Sequence, residues 1–266
     1  MIPTALTIAG SDPSGGAGVQ ADLKTFSALG VFGMSALTAL TVQNTRGVSD
    51  VHLVPDSFVQ DQISNIFADI RVNAIKVGMI ATADIASAVA NTLREVASSV
   101  PIVVDPVMVA KGGSPLLAPS AVDALTKELL PLAEIITPNL EESAALLGTS
   151  VAKNRDDMLE QAHQLRLLGV KYVLLKGGHL STPDSPDLLV GPSIEEWFES
   201  VRIDTVNTHG TGCTLSSAVA AHLAQGCTIL NAISLSKSYV QGAIKNADLL
   251  SIGHGHGPTH HFHSIW

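Results

Sequence analysis

Short β-rich runs alternate with helical patterns along most of the chain, and this alternation limits the possible folds more than any other feature. Strands are predicted at 5–10, 34–44, 74–80, 101–108, 134–139 and 172–178. Helices are predicted at about 17–29, after Pro55, near 83–98 and near 119–130. Such βα alternation predicts a mostly parallel central sheet with helices on both faces and right-handed crossovers. The expected fold class is therefore α/β.

The composition favours a protein that acts on small molecules. The chain has 266 residues, 46% of them hydrophobic, which is enough for a buried core in one large domain or two small ones. A formal net charge of -9 gives no overall attraction for nucleic acid or an anionic membrane. The start of the chain lacks a signal-peptide pattern and no stretch approaches the roughly 18 apolar residues of a membrane span, so we expect a cytoplasmic protein.

One segment, 180–206, departs from the alternation of strands and helices. It is rich in Pro, Asp and Ser and then holds two short strand-like pieces. We expect it to form a hairpin or flap over one edge of the sheet.

Polar residues and glycines follow several of the predicted strands. They are Gly10-Ser11-Asp12, Gln43-Asn44, Asp105-Pro106, Thr137-Pro138-Asn139 and Lys176-Gly177-Gly178. Each of them alone is explained by a strand end. Because ligands of open parallel sheets bind outside the carboxyl ends of the strands, we expect all of them to face one common cleft.

A second signal is the stretch NTHGTGCTLSSAVAAHL, which starts at Asn207. From Leu215 onward its apolar residues have helical spacing, so 210–212 is predicted to be the turn that enters the helix. Glycines allow close backbone approach, and the first turn of a helix presents free N–H groups and the positive end of its dipole. The stretch therefore predicts a binding site for phosphate or another oxyanion.

The chain has two cysteines, Cys213 and Cys227, too few for a disulfide framework and without a zinc-site spacing. Cys213 falls in the first turn of the predicted helix, where the dipole lowers the pKa of a thiol. It is a candidate base, the alternative being a small buried residue that packs beneath the turn. Cys227, at the predicted helix end, is expected to be structural.

A glycine-rich turn also follows the first strand, at 11–18. Within it and just beyond, GAGVQA matches the G-x-G-x-x-A pattern of dinucleotide-binding folds. This alternative is weak, because the next strand ends in Gln43-Asn44 rather than in the acidic residue that holds a ribose. The Walker A pattern and the protein-kinase signatures are absent, so phosphate transfer would need another scaffold.

The motifs, taken in order, resemble the hydroxymethylpyrimidine/phosphomethylpyrimidine kinases of thiamine biosynthesis, in the ribokinase-like superfamily. They are TIAGSDPSGGAGVQADLKTFSALG, TALTVQNTRGV, IKVGMIA, VVDPVMVAKGG, ITPNLEES, LLKGGHL, NTHGTGCTLSSA and GHGHGPTHHFH. The resemblance implies a single domain over 1–266, commonly a homodimer, that uses ATP and Mg²⁺. It implies phosphorylation of 4-amino-5-hydroxymethyl-2-methylpyrimidine to its monophosphate and then to the diphosphate.

The same resemblance assigns roles around the phosphates. The anion hole would consist of Gly210, Thr211, Gly212 and Cys213, with Cys213 where the wider superfamily carries an aspartate base. The carboxylates of Asp105 and Glu142 would support the cation, mainly through water because Mg²⁺ keeps much of its hydration shell. The nucleotide would be bound by Lys176, Asn139, Thr208 and, as a weaker match, Lys237.

For the pyrimidine, Gln43 is the favoured binding residue. An aminopyrimidine edge offers a ring-nitrogen acceptor beside an amino donor, and a glutamine amide satisfies both, as it does with adenine. The resemblance places Gly10, Asp22, Met79 and Val107 around the ring and the hydroxymethyl group, although Met79 and Val107 fit a core role equally well.

Five of the ten histidines lie in the C-terminal tail: His254, His256, His260, His261 and His263. Their spacing suggests a metal tract. Because the resembled family has the same ending without a metal role, a structural segment near the nucleotide site is favoured.

Two alternative functions stay open at this point. Pyridoxal kinase activity, alone or as a second activity, is the nearest one, since related proteins phosphorylate a similar flat heteroaromatic alcohol. The other is a nucleotide- or vitamin-binding protein that has kept the fold and lost the chemistry.

Overall fold

The computed structural model of the chain describes residues 1–108 and 119–266. The strands there are β1 (Thr4–Ala9), β2 (Phe32–Leu37), β3 (Ala39–Asn44), β4 (Gly47–Leu53), β5 (Ala74–Val77), β6 (Ile102–Val104), β7 (Ile135–Ile136), β8 (Tyr172–Lys176), β9 (Asp187–Gly191) and β10 (Ile194–Phe198). The helices are α1 (Gly18–Ala28), α2 (Asp56–Asp69), α3 (Ala83–Val96), α4 (Pro119–Ala124), α5 (Leu140–Leu147), α6 (Arg155–Arg166), α7 (Thr211–Ala224) and α8 (Ile229–Lys245). A π-helical segment, Leu125–Leu129, and short 3-10 helices, Leu130–Leu132 and Ala247–Leu249, complete them.

The main sheet has eight strands in the order β10-β9-β8-β7-β6-β5-β1-β2. The six strands from β8 to β2 are all parallel to their neighbours. Strand β1 pairs with β2 on one side and β5 on the other, so the chain reverses its direction of progress at β1. Such a reversal opens a crevice at the carboxyl ends of the strands, where open α/β sheets bind their ligands.

Alternate residues of the strands pack against different helices, as expected for a sheet that is covered on both faces. Leu6 and Ile8 join one apolar cluster, which includes residues of α2, α3, α4, α5 and α6. Ala5 joins the other cluster, with α1, α7 and α8. Both faces of the central strands are therefore buried, and this explains why most of their residues are apolar.

The predicted strand 34–44 is wrong as a single element. The chain breaks at Thr38 into β2, which belongs to the main sheet, and β3, which pairs with β4 in a separate antiparallel sheet. Thr38 is buried at the break, where its N–H donates to the Ala9 carbonyl and its hydroxyl donates to the Met79 carbonyl. The apolar pattern continues across Thr38, so the break could not be predicted from the sequence. Strand β4 was not predicted either.

The segment 180–206 contains an antiparallel hairpin. Strand β9 pairs with β8 and β10 pairs with β9, so the hairpin extends the main sheet at one edge. Within residues 1–108 and 119–266, none of the helices combines the length and apolar character that crossing a membrane requires. Part of the VVDPVMVAKGG motif, 109–113, lies outside the described residues.

A fully buried ion pair crosses the face of the sheet that is covered by α1 and α7. Lys76, in the middle of β5, places its Nζ 2.9 Å from Asp22 Oδ2, and both side chains are 0% exposed. Asp22 also accepts hydrogen bonds from the hydroxyls of Thr7 and Ser217. The pair therefore links β1, β5, α1 and α7, and each charge in it has hydrogen-bond partners, as burial requires.

We predict that Lys76→Met lowers the free energy of unfolding by about 3–5 kcal/mol, because it leaves the Asp22 carboxylate buried without its cation. Urea denaturation at pH 7 measures the loss. In the double variant Lys76→Met/Asp22→Asn much of the stability should return, since the buried charge is removed. The matched control is Lys171→Met, whose ion pair with Glu134 is at the surface and should contribute less than about 1 kcal/mol. A loss as small as that for Lys76→Met contradicts the prediction.

Candidate active site

Helix α7 begins at Thr211, so the first-turn position expected for Cys213 is present. Gly210 precedes the helix with a φ of 78°, in the left-handed region. A Cβ at Gly210 would lie 1.8 Å from the Gly16 carbonyl oxygen, so only glycine fits. The turn after β1 and the start of α7 are therefore in direct contact, and the first N–H groups of α7 have no partner inside their own helix.

Beside this helix start lies a lysine between two carboxylates. Lys176 Nζ is 3.1 Å from Asp105 Oδ1 and 3.9 Å from Glu142 Oε2. A Cβ at Gly212 would lie 3.4 Å from Lys176 Nζ and 3.6 Å from Asp105 Oδ2. The structure thus brings the residues predicted for the anion hole, the nucleotide and the cation together at the carboxyl ends of β6 and β8.

The charges of this cluster shift one another's protonation. Burial alone would raise the pKa of Asp105, but the positive charges of Lys176 and Lys76 outweigh it and hold that pKa below its usual value. For Glu142, burial dominates and raises the pKa to about 7. Burial acts to lower the pKa of Lys176, yet the two carboxylates raise it, so the lysine is charged. The site therefore offers a fixed positive charge and a carboxyl that titrates near neutral pH.

Asn139 and Glu142 form a capping box at the start of α5. The Asn139 side chain accepts from the Glu142 N–H at 2.8 Å, and the Glu142 carboxylate accepts from the Asn139 N–H at 2.7 Å. The N-x-x-E motif is therefore explained by helix capping as well as by ligand binding. Glu142 keeps one carboxylate oxygen beyond this box, whereas the Asn139 side-chain oxygen is engaged.

The expectation of a lowered thiol pKa at Cys213 is wrong. Burial, together with the carboxylates of Asp22 and Asp105, raises the pKa of Cys213 to about 11, and the nearby Lys76 charge only partly opposes this. The helix dipole that motivated the expectation is outweighed by the surroundings of the sulfur atom. The thiol is therefore protonated near neutral pH before any substrate binds.

On the other side of the helix start lies the predicted pyrimidine residue. Gln43 is on β3, outside the main sheet, and its side chain lies 3.4 Å from Nε2 of His209, the residue just before Gly210. Met79 and Val107 belong to one small apolar cluster with Ala39, Ala81 and Val51. Gly10 borders it, since a Cβ there would be 3.0 Å from the Met79 sulfur. The amide of Gln43 thus lies beside the start of α7, and the apolar cluster lies beside Gly10, just after β1.

Asp22 is not part of the pocket wall. Its side chain is 0% exposed and paired with Lys76, so it lies beneath the site and supports it. Lys76 was not predicted to belong to the site, although it is a single lysine inside the apolar run AIKVG. A charged residue is seldom fully buried unless it is paired, and only the tertiary structure identifies Asp22 as its partner.

Two further predicted nucleotide residues have structural partners. Lys237 pairs with Asp187 at 2.6 Å and donates to the Ser185 carbonyl at 2.8 Å. The carbonyl of Thr208 accepts from the N–H and the hydroxyl of Thr211. These contacts hold the loop after β8 and the start of α7, and a role of either residue toward a nucleotide stays a prediction.

The C-terminal tail packs on the segments that border the site. Its glycines face the protein, because a Cβ at Gly255 would lie 2.1 Å from the Thr45 carbonyl oxygen and one at Gly257 would lie 2.2 Å from Asn207 Oδ1. His254 and His256, which flank Gly255, are exposed. The GHGHG pattern is thus explained by close packing. In the described part of the chain, no group of three or more His, Cys, Asp or Glu side chains is placed to hold a metal ion.

A mostly parallel sheet covered by helices, with a lysine between two carboxylates beside a helix start, fits a kinase of small molecules. A family model described as phosphomethylpyrimidine kinase matches residues 12–260. The chain belongs to this family. A relative from Escherichia coli (strain K12), named hydroxymethylpyrimidine/phosphomethylpyrimidine kinase, is 50% identical over 98% of this chain and 98% of its own.

Solved structures agree with this assignment. A phosphomethylpyrimidine kinase from Clostridium difficile 630 is 44% identical, with a TM-score of 0.81 over 92% of this chain and 100% of its own. The ADP complex of a Bacillus subtilis pyridoxal kinase is 42% identical, with a TM-score of 0.90 over 98% of both chains. The fold therefore occurs in kinases that are named for two different vitamin-related substrates.

We predict that Glu142→Gln melts at a higher temperature than the unchanged protein at pH 8, and that the difference shrinks toward pH 4.5. The pKa of Glu142, about 7, lies above the ordinary value of 4.5, so the folded state favours the protonated carboxyl and stability falls as pH rises between these values. The effect is up to about 3 kcal/mol, at about 1.4 kcal/mol per pKa unit.

Thermal denaturation in EDTA, which removes stabilising cations, is the measurement for Glu142→Gln. Glu141→Gln is the control, because its side chain is exposed beside His179. A Glu142→Gln variant that is equally stabilised at both pH values, or not at all, would show that the carboxyl does not titrate as expected.

Proposed function

We propose that the protein uses ATP and Mg²⁺ to phosphorylate 4-amino-5-hydroxymethyl-2-methylpyrimidine and then phosphorylates the monophosphate to the diphosphate, as in thiamine biosynthesis. The observation that carries the proposal is the contact of Gln43 with His209, the residue just before the 210–213 turn. Lys176 and Asp105 lie at the other side of Gly212. Heterocycle recognition and phosphate binding are thus adjacent.

Phosphoryl transfer has a loose transition state, so catalysis depends mainly on positioning and on charge stabilisation. The substrate hydroxyl, or its phosphate in the second step, attacks the γ-phosphoryl group in line. The N–H groups of Gly212 and Cys213 and the charge of Lys176 stabilise the negative charge that develops on the transferred group. The apolar wall of Met79 and Val107 holds the flat ring.

The cluster around Lys176 suits the phosphates of ATP and a magnesium ion. Carboxylate oxygens of Asp105 and Glu142 are ligands of the kind that Mg²⁺ prefers, and two carboxylates plus water match its usual mode of binding beside phosphates. When bound, the cation would neutralise phosphate charge. Its presence would also favour the ionised form of Glu142, so Mg²⁺ binding should release a proton near neutral pH.

A second candidate activity is the phosphorylation of pyridoxal, and the similarity to the Bacillus subtilis pyridoxal kinase favours testing it. Both substrates are flat heteroaromatic rings with a hydroxymethyl group. They differ in the ring edge opposite Gln43, because pyridoxal lacks the amino group beside a ring nitrogen. We place the pyrimidine first, since its edge matches the donor and acceptor of the Gln43 amide.

We predict that the protein, given ATP, Mg²⁺ and the hydroxymethylpyrimidine, forms both a mono- and a diphosphate. Product analysis by chromatography and mass spectrometry is the measurement, with pyridoxal assayed in parallel. Turnover of pyridoxal alone would favour the second activity. Ligand-induced thermal stabilisation without any ATP turnover would show a binding protein and overturn the proposal.

We predict that Cys213→Ala retains ligand binding and slows transfer by at most about 100-fold. A thiol with a pKa of about 11 is already protonated near neutral pH and cannot accept a proton there, and a loose transition state asks little of a base. Steady-state kinetics and ligand titration measure the two effects. Cys227→Ala, at the far end of α7, is the matched control and should change neither. An unchanged rate in Cys213→Ala would remove the thiol from the chemistry.

We also propose that the protein is a cytoplasmic homodimer. Its support is the family resemblance together with exposed apolar side chains on the β3–β4 sheet, among them Leu40, Val42 and Leu53. Multi-angle light scattering tests the oligomeric state, and a monomer at micromolar concentration would contradict it.

A further inference from the structure

The side chain of Gln43 lies between two groups that together decide how its amide is turned. On one side, Oε1 lies 3.2 Å from the Thr41 hydroxyl. That hydroxyl already donates its single proton to the Ser11 carbonyl at 2.8 Å. A hydroxyl whose proton is engaged can only accept, so the Gln43 atom beside Thr41 has to be the amide nitrogen.

The other side of the amide leads to the same orientation. Nε2 of His209 lies 2.8 Å from Asp12 Oδ2 and 3.4 Å from Gln43 Nε2. An ionised carboxylate only accepts hydrogen bonds, so the proton of this contact is on His209 Nε2. Two nitrogen donors that face each other make no hydrogen bond. A 180° rotation of the amide exchanges its oxygen and nitrogen and moves no other atom. The nitrogen then donates to the Thr41 hydroxyl, and the oxygen, 3.4 Å from His209 Nε2, faces the positive end of an N–H whose proton is bonded to Asp12.

Asp12 is held firmly in its acceptor role. It is 2% exposed, and its carboxylate also accepts from the N–H and hydroxyl of Ser14 and from the N–H of Ala17. These bonds and the contact with His209 outweigh burial and lower the pKa of Asp12. The carboxylate therefore keeps the Nε2 proton of His209 in place whether the imidazole is neutral or charged.

His209 is positioned by its backbone as well as by Asp12. Its N–H donates to the Gly257 carbonyl and its own carbonyl accepts from the Thr259 N–H, so the C-terminal tail holds it on both sides. The residue is 7% exposed. The imidazole thus stands between the turn after β1, the tail and β3, with its Nε2–H donated to Asp12 and the same nitrogen 3.4 Å from the Gln43 side chain.

If the proposed function holds, the orientation of the Gln43 amide determines which way round the pyrimidine binds. In the pyrimidine, the 4-amino group lies between ring nitrogen N3 and the carbon that carries the hydroxymethyl group. With the Gln43 oxygen toward His209, the amino group binds on the His209 side and N3 binds on the Thr41 side. The hydroxymethyl group then lies beyond the amino group, toward His209 and the 210–213 turn.

We propose that His209, held by Asp12, is a specificity-determining positioning residue: it fixes the orientation of the Gln43 amide, selects a 4-amino over a 4-oxo pyrimidine, and directs the hydroxymethyl group to the phosphate-binding turn. A 4-oxo pyrimidine carries an acceptor where the amino donor stands and an N3–H where the ring acceptor stands. Binding the 4-oxo compound requires the opposite amide orientation. The Gln43 nitrogen then faces the His209 N–H, and the Gln43 oxygen faces the Thr41 hydroxyl oxygen.

The test compares kcat/KM for 4-amino-5-hydroxymethyl-2-methylpyrimidine and for its 4-oxo analogue. The unchanged protein should prefer the amino compound on the order of 10- to 100-fold, as expected for a site with a fixed donor and acceptor. In His209→Leu the amide is free to rotate, so the preference should fall to a few-fold. In His209→Gln, whose amide nitrogen replaces Nε2 as a donor, the preference should return.

Two further measurements keep the test decisive. Thr41→Val removes the hydroxyl at the other end of the amide and should also lower the preference for the 4-amino compound. This variant keeps the test informative if His209→Leu does not fold. Nitrogen-15 NMR of the unchanged protein should show a protonated Nε2 on His209, with the resonance assigned by its loss in His209→Gln. The control is His256→Ala, because this side chain is exposed and is hydrogen-bonded to the Val206 carbonyl.

The outcomes separate this inference from the proposed function. If the unchanged protein phosphorylates neither pyrimidine, the proposed function fails. If it phosphorylates the amino compound but His209→Leu and Thr41→Val lower kcat/KM equally for both compounds, His209 has only a structural role. An unprotonated Nε2 would overturn the inference as well.

Discussion

The close contact between the turn after β1 and the start of α7 is the constraint on which the candidate site depends. The Gly16 carbonyl occupies the space that a side chain at Gly210 would need. Asp12, in the same turn, reaches across to His209. These contacts bring a segment near residue 12 and a segment near residue 210 to one point. The free N–H groups of α7 consequently face the carboxyl ends of the parallel strands rather than bulk solvent.

Charge is arranged around this contact at two depths. The Lys76–Asp22 pair lies beneath α7, fully buried, and joins the helix to β1, β5 and α1. Lys176 and Asp105 lie beside Gly212, and the Lys176 side chain is 14% exposed. The Lys76–Asp22 pair joins the elements around the helix start, and the Lys176–Asp105 pair is the one that the proposed function assigns to the phosphates. The same environment raises the pKa of Cys213, so the thiol is a poor resting base.

Much of the site could be predicted because parallel strands end at one edge of a sheet. Gly10, Asp105 and Lys176 all follow or end strands of the main sheet, and the structure places Lys176 beside Asp105. Gln43 reaches the start of α7 by a route that was not predicted, since β3 lies outside the main sheet. The prediction that Asp22 lines the substrate pocket was wrong for a similar reason. The position of Asp22 in the motif is visible in the sequence, but the burial of its side chain depends on pairing with Lys76, which is 54 residues away.

The amino-acid sequence by itself determined the α/β class, the family, the helix start after a glycine-rich turn and the set of polar strand ends, because each depends on local periodicity, glycine placement or motif order. Only the tertiary structure decided the partners of these groups: Lys76 for Asp22, Asp12 and Gln43 for His209, and Lys176 for Asp105. The direction of the Cys213 pKa shift was decided in the same way. Burial and contacts between residues far apart in the chain control these properties, and no local pattern in the sequence records them.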